Sequence, residues 1–413
     1  MTSTRATPLI ALVLTAGIAL GATAGANERS DALRREGYQA VYDLDYDRAD
    51  ELFRQAIAAD PEDYAAYRGA AAASWQRILF VRGTLLVDDY AGHIRSTKTV
   101  PMPPSPPELV AAFHRDVDRA VALAEKAIER HYKDAAPHAG LGAALGLRVW
   151  FSSSIEAKTW NPGRDARRAF YESQLAHKLD ATRADVGLVL GSFRYYLSGF
   201  PKTILWLSGL IGFQGGKAEG LQLLEAATAS PSDLQEEAQF RLTLIYTREG
   251  RHADAAAVIR DMERTHPDNR LLLLEEACAL LRNRQAAAAE ARLDEGIARL
   301  TQETRPLMMG EEGRWHWRRG MARLLTGHLD GAEEDLKRAL GAAGVRDWVR
   351  ARIRIEFGKL ADVRGDRAKA EGEYRAALEI ATRLGDTETV SEATRFLAQP
   401  FSRQAAQQQG FCP

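Results

Sequence analysis

The chain has 413 residues, 46% of them hydrophobic and dominated by Ala and Leu, with a formal net charge of −1 and only two cysteines. Such a balance excludes a chain drawn to nucleic acid or an anionic surface by its bulk charge, and two cysteines exclude a disulfide framework. The hydrophobic content is enough for a continuous core.

Residues 1–26 read as a targeting segment. Arg5 gives a weakly basic start, Pro8 to Leu20 form the apolar stretch, and Ala24-Gly25-Ala26 supply small residues for cleavage before Asn27. The apolar stretch falls short of the roughly 20 residues a membrane span needs. Export follows as the expectation, to the periplasm if the organism is a Gram-negative bacterium. A retained anchor is the alternative.

From about residue 27 to 397 the chain reads as helical hairpins. In the first unit Gly37, Ala49, Phe53, Ala56 and Pro61 are spaced so that small residues bring two helices together, Phe53 fills the gap between units, and Pro61 stops the second helix. The second unit has helices at about Tyr64–Val81 and Pro106–His131, separated by an insert of about 83–105 that ends in a proline run. Ser105 is expected as the helix cap there, with Glu108 closing a capping box. In the third unit Leu141-Gly142 and the helix from Arg164 to Leu179 flank an insert of about 151–163. The fourth begins at Ala184, and an apolar stretch at about 199–214 leads to Gly220, Leu224 and Ala227.

The fifth unit opens on Ser232 and Gln235 as a second capping box, followed by Tyr246, Gly250, Ala255 and Ile259. The sixth, Asn269 to Leu300, keeps Ala277, Ala289 and Leu293. The last two units repeat one another: Gly320, Gly327, Ala332, Leu336 and Ala339 recur as Gly358, Gly365, Ala370, Tyr374 and Ala377. A hairpin of this kind cannot bury its apolar face alone and must stack on copies of itself. A helix at about Thr387–Leu397 closes the stack, and 398–413 is expected to be a disordered tail.

These positions, within a frame of about 34 residues, resemble the tetratricopeptide repeat (TPR). The resemblance implies an all-α, right-handed α-solenoid of about eight stacked hairpins, with a concave wall that holds a protein or peptide partner. A second resemblance covers roughly 184–230. There Leu210-Ile211-Gly212-Phe213, a Gly-Gly turn and Gly220-Leu221, Leu224-Glu225 and Ala227 are similar to the inclusion-body-clearance (tetratricopeptide repeat 39) family. That family is intracellular and eukaryotic, with one branch at lipid bodies, and a secretory leader departs from it. No partner or activity is therefore carried over.

The repeat frame places Arg68, Trp75, Tyr195, Phe240, Trp317 and Ile355 on the inner wall as candidate partner contacts. In the run Arg314 to Arg319, Trp315 and Arg319 are expected to stack as an i, i+4 pair. Ile204, Trp206, Leu207, Leu210 and Phe213 make the fourth-unit insert apolar, suited to packing on a repeat or to touching lipid. Asp88-Asp89 and Glu311-Glu312 read as carboxylates at loops and helix starts. Cys278 reads as a small buried hydrophobe.

No metal-ligand spacing occurs, and Gly215-Gly216-Lys217 is no phosphate loop, because Ile211 stands where the first Gly belongs. The reading is an exported, non-enzymatic binding scaffold of the cell envelope, with no cofactor and no nucleic acid partner. A membrane- or lipid-associated envelope component is the alternative, and an accessory enzyme a third.

Overall fold

The computed structural model describes residues 28–91, 103–156, 163–199 and 216–404, and every element among them is helical. The first hairpin pairs α1 (28–42) with α2 (Tyr46–Ala59). In the second, α3 (Tyr64–Val81) packs on α5 (Pro107–Arg130), and the connection carries the short α4 (Asp88–Ala91). The third is α6 (Ala135–Ser154) with α7 (Gly163–Leu179). In the fourth, a 3-10 turn at Ala184–Val186 leads α8 (Gly187–Ser198) onto α9 (Lys217–Ala229).

Four regular pairs follow: α10 (Gln235–Arg248) with α11 (His252–Thr265), and α12 (Arg270–Arg282) with α13 (Ala286–Leu300). Then come α14 (Glu311–Thr326) with α15 (Leu329–Gly341), and α16 (Asp347–Val363) with α17 (Arg367–Leu384). α18 (Thr387–Ala398) caps the stack. The architecture is an α-solenoid of consecutive packed pairs.

Packing at the repeat positions explains the spacing. A methyl on Gly358 would lie 2.3 Å from the Tyr374 ring, and one on Gly320 would lie 2.9 Å from Leu336, so the second helix closes on the first only over hydrogen. The turn inside the hairpin is left-handed at Leu44, Gly250, Arg284, Gly327 and Gly365, which occupy the same place in five units. Leu44 and Arg284 carry a Cβ there, at a cost of about 1–2 kcal/mol each.

The two helices of a hairpin are buried differently. In α13 only Ala289, Leu293 and Gly296 are buried, a single stripe, whereas α12 is buried without a break from Arg270 to Leu281. A helix enclosed on every side has neighbours on every side. Those neighbours come from the far end of the chain, because the solenoid curls until its first hairpin meets the fifth and sixth. Gln39 Nε2 donates to the Thr265 carbonyl at 2.9 Å, Asn269 Nδ2 to that of Tyr42 at 2.6 Å, and Arg305 Nη1 to that of Asp43 at 2.7 Å. One apolar cluster accordingly joins Phe53 and Phe80 to Leu271, Trp317 and Tyr374.

Two helix starts depart from expectation. The cap of α5 is Pro106, since Ser105 Oγ accepts instead from Arg82 at 3.3 Å. α10 starts behind Leu234: Ser232 Oγ accepts from the Leu234 N–H at 3.3 Å, and the Gln235 side-chain amide donates to the Thr228 carbonyl at 2.9 Å. The Ser232–Gln235 box therefore does not form. The targeting segment 1–26, the residues Ile204, Trp206, Leu207, Leu210 and Phe213, and residues 405–413 of the expected tail, with Cys412, lie outside the described residues. The tail's first part is not loose: Phe401 is buried, its N–H donating to Asp362 at 2.8 Å.

Candidate partner-binding site

The inner wall is occupied by the chain itself. After α3 the backbone turns at Gly83, whose φ is +64° and where a Cβ would stand 2.4 Å from the Met309 carbonyl oxygen. Only glycine fits that approach. The following residues fold on themselves: the Tyr90 hydroxyl donates to the Thr84 carbonyl at 2.8 Å, and the Leu86 N–H to the Asp89 carboxylate at 3.1 Å. Leu85 and Leu86 sit among Val41, Leu44, Phe240, Leu271 and Leu272, leaving a cavity of about 50 Å³, room for a few waters. The Val87 N–H donates to Glu275 at 2.6 Å.

Asp88 and Asp89 meet four guanidinium groups from three successive units. Asp88 is paired with Arg282 of α12 and Arg318 of α14, and Cys278 Sγ lies 3.8 Å from it. Asp89 takes Arg314 of α14 at 2.6 Å, together with Arg346 just before α16. Arg314 also donates to the Gly83 carbonyl at 3.0 Å, and Arg248 to that of Tyr90 at 2.8 Å. The planar guanidinium fork suits a carboxylate, and its weak hydration makes it the cation most readily buried.

Protonation follows from this enclosure. Burial alone would raise the Asp88 carboxyl, but Arg282 and Arg318 outweigh it and hold the group well below the usual carboxylate range. Glu275 is pushed up to about 8 by burial and by the neighbouring Asp88, which keeps it protonated at neutral pH. The same two causes push the Cys278 thiol up to about 12. Arg346 is lowered by burial despite Asp89.

The six expected wall residues do not form one surface. Arg68 is buried, donating to the Tyr38 hydroxyl at 2.9 Å and paired with Glu237. Trp75 is buried with its indole N–H on Ser154 at 3.2 Å, and Ile355 lies in the core. Trp317 is 1% exposed, edge-on to Trp348 at 6.2 Å, with the Arg318 guanidinium 3.8 Å over its ring. Tyr195 is half-buried, its hydroxyl donating to Glu249 at 2.5 Å. Phe240 touches the resident segment, edge-on to Tyr90 at 6.4 Å.

The expected Trp315–Arg319 stack is absent among the described contacts. Trp315 fills the space over Gly296 and donates to Glu311 at 3.3 Å, while Arg319 turns to Asp335 and Asp294. Sequence reasoning missed Asp88, Asp89, Arg282, Arg314, Arg318 and Arg346. The available signal was the i, i+4 pair Arg314 and Arg318, and a pair of acids directly behind Leu85-Leu86-Val87 in an insert.

Residues 164–308 match the family model described as Iml2/Tetratricopeptide repeat protein 39, a span that contains the stretch 184–230, and residues 274–345 match a tetratricopeptide repeat model. The family matches thus span residues 164–345, and the fold is a TPR-like α-solenoid. No curated protein matches this chain. Solved structures similar to it include the human IFIT1 dimer with m7Gppp-AAAA, at 15% identity and a TM-score of 0.42, covering 93% of this chain and 87% of that one. Yeast Tom70 follows at 13% and 0.37, with 90% and 89% covered. A tetratricopeptide repeat protein from Parabacteroides merdae ATCC 43184 stands at 12% and 0.30, with 79% and 97% covered. Overlaps this loose carry nothing about ligands. Among the described residues, no helix is long and apolar enough to cross a membrane, and no cluster of His, Cys, Asp or Glu is set to hold a metal ion.

Proposed function

We propose that the chain is an exported, non-enzymatic TPR scaffold of the cell envelope that binds a protein partner along its inner wall. One observation carries the reading: a peptide-sized piece of chain already lies against that wall, its aliphatic side chains in an apolar recess and its two carboxylates on four arginines. A wall that receives a peptide of its own has the chemistry to receive another. Export rests on the character of residues 1–26, and the non-enzymatic reading on the absence of any catalytic motif in the sequence.

Phe240 is the test position, because it lines the recess and keeps part of its surface open. A photo-crosslinking benzoylphenylalanine at Phe240 is expected to capture an envelope protein, whereas the same group at Tyr171, which is 47% exposed on a second helix, should not. Capture only at Tyr171, or at neither position, contradicts the reading. Mass spectrometry of the mature chain should find its first residue to be Asn27. An intact leader on cytoplasmic protein would remove export.

A further inference from the structure

We infer that residues 84–90 hold the place of the partner: the wall is built for a peptide with two adjacent acidic side chains behind a short aliphatic run, and this segment occupies it until such a peptide displaces it. The inference rests on the scaffold reading above and goes further, to the chemistry of the ligand and to how the site is kept closed.

Three features point to an occupant rather than a structural strut. First, α3 and α5 pack directly on one another, so their hairpin closes without the insert between them. Second, the segment's polar ties beyond its own turn reach mostly across the superhelix, to Arg248, Glu275, Arg282, Arg314, Arg318 and Arg346. Among the described residues of the insert it is tied mainly to itself, through Tyr90 to Thr84 and Leu86 to Asp89, so it can leave and return as one loop. Third, the wall holds more donors than the segment uses. Arg314 Nη1 and Arg318 Nε, on the guanidiniums that hold Asp89 and Asp88, are buried and have no hydrogen-bond partner among the described residues. Buried donors without acceptors are costly, and a ligand that satisfies them gains over one that does not.

The exchange is energetically open because its chemistry is conserved. A buried ion pair roughly breaks even against the desolvation of its charges, so swapping one pair of carboxylates for another leaves that large term nearly unchanged. What favours the resident segment is its tether, which gives it an effective concentration in the millimolar range. A free peptide of the same sequence therefore competes poorly with it, and a partner that makes contacts outside the recess competes well.

The probe is a fluorescein-labelled peptide of residues 83–91, with a control in which both Asp residues are Asn. In the full chain, Asp88→Asn with Asp89→Asn loosens the resident segment while keeping its shape. The labelled peptide is expected to bind that variant at least tenfold more tightly than the natural pair, and the control peptide should bind neither. A second readout leaves the segment unaltered. The Val87 N–H is held on the buried Glu275 at 2.6 Å. In the natural chain, millimolar unlabelled peptide should speed amide hydrogen exchange of the displaced residues 84–90 several-fold, and the control peptide should not. A folded variant that ignores the acidic peptide, or binds acidic and control peptides alike, overturns the inference. If the variant does not fold, exchange across 84–90 that the acidic peptide leaves unchanged overturns it. A partner crosslinked at Phe240 without any of these responses leaves the scaffold reading standing and removes this one.

Discussion

Replacing Asp88 by Ala should be among the most damaging single changes in the chain. The side chain is 4% exposed and accepts from two guanidiniums, Arg282 at 9% and Arg318 at 3% exposure. Removing one partner of a buried ion pair costs about 3–5 kcal/mol, because the remaining charge stays desolvated with nothing opposite it. Here two charges would be left, although the turn can open to admit water, so the same range is expected rather than twice it. The comparison is Asp118→Ala, whose carboxylate meets Arg148 at 2.7 Å but is 62% exposed. An exposed pair of that kind contributes about 0–1 kcal/mol. Urea denaturation followed by circular dichroism reads both, and the slope of the transition shows whether the variants unfold the same surface. If Asp88→Ala falls within about 1 kcal/mol of the natural chain, level with Asp118→Ala, then Asp88 is not enclosed by the wall and the reasoning fails.

Other consequences follow from the packing. Ala339 is fully buried, and Ala339→Leu should overpack the interface with α14 and lower the urea midpoint by the equivalent of about 1–3 kcal/mol; an unmoved midpoint would put the repeat phase in error. Gly358→Ala and Gly372→Ala should differ in sign. The first sets a methyl 2.3–2.7 Å from three atoms of the buried Tyr374 ring, itself stacked on Phe396 at 5.4 Å, while the second meets nothing within 4 Å and gains helix propensity of about 1 kcal/mol. Equal shifts in melting temperature would refute the contact. His266 is buried, and although burial would lower its pKa, Asp43 at 3.2 Å and Glu236 at 3.4 Å raise it to about 9 from 6.5. Because the folded value is the higher one, the stability it supplies is complete below pH 6.5 and is lost as pH rises through 9. The melting temperature of the natural chain should fall towards that of His266→Gln over this window; a constant gap between the two would contradict the assignment.

The hairpins were legible because their packing is local. Gly320 meets Leu336 and Gly358 meets Tyr374 within 16 residues, so each contact leaves a fixed spacing in the chain. The wall was legible only in part. Trp317 and Ile355 are inward in the repeat frame and buried in the structure, but the frame does not say what buries them. Asp88 and Asp89 looked like ordinary loop acids, since the arginines that enclose them lie 194 to 257 residues away. Arg68 was placed on the wall for a partner, but the curl of the solenoid brings Glu237 to it from 169 residues downstream. Helix starts fail for a smaller reason: Ser105 and Ser232 have the right neighbours in sequence, but Ser105 accepts from Arg82 and Ser232 lies two residues before the cap, Leu234.

Amide hydrogen exchange across 84–90 in the full chain tests most directly whether this segment fills the wall. The Val87 N–H, donated to the buried Glu275, and its neighbours are predicted to exchange far more slowly than an unstructured peptide, and faster than the amides of α12 and α14, because the segment opens without those helices. Exchange at the rate of an unstructured peptide, with those helices still protected, would contradict it.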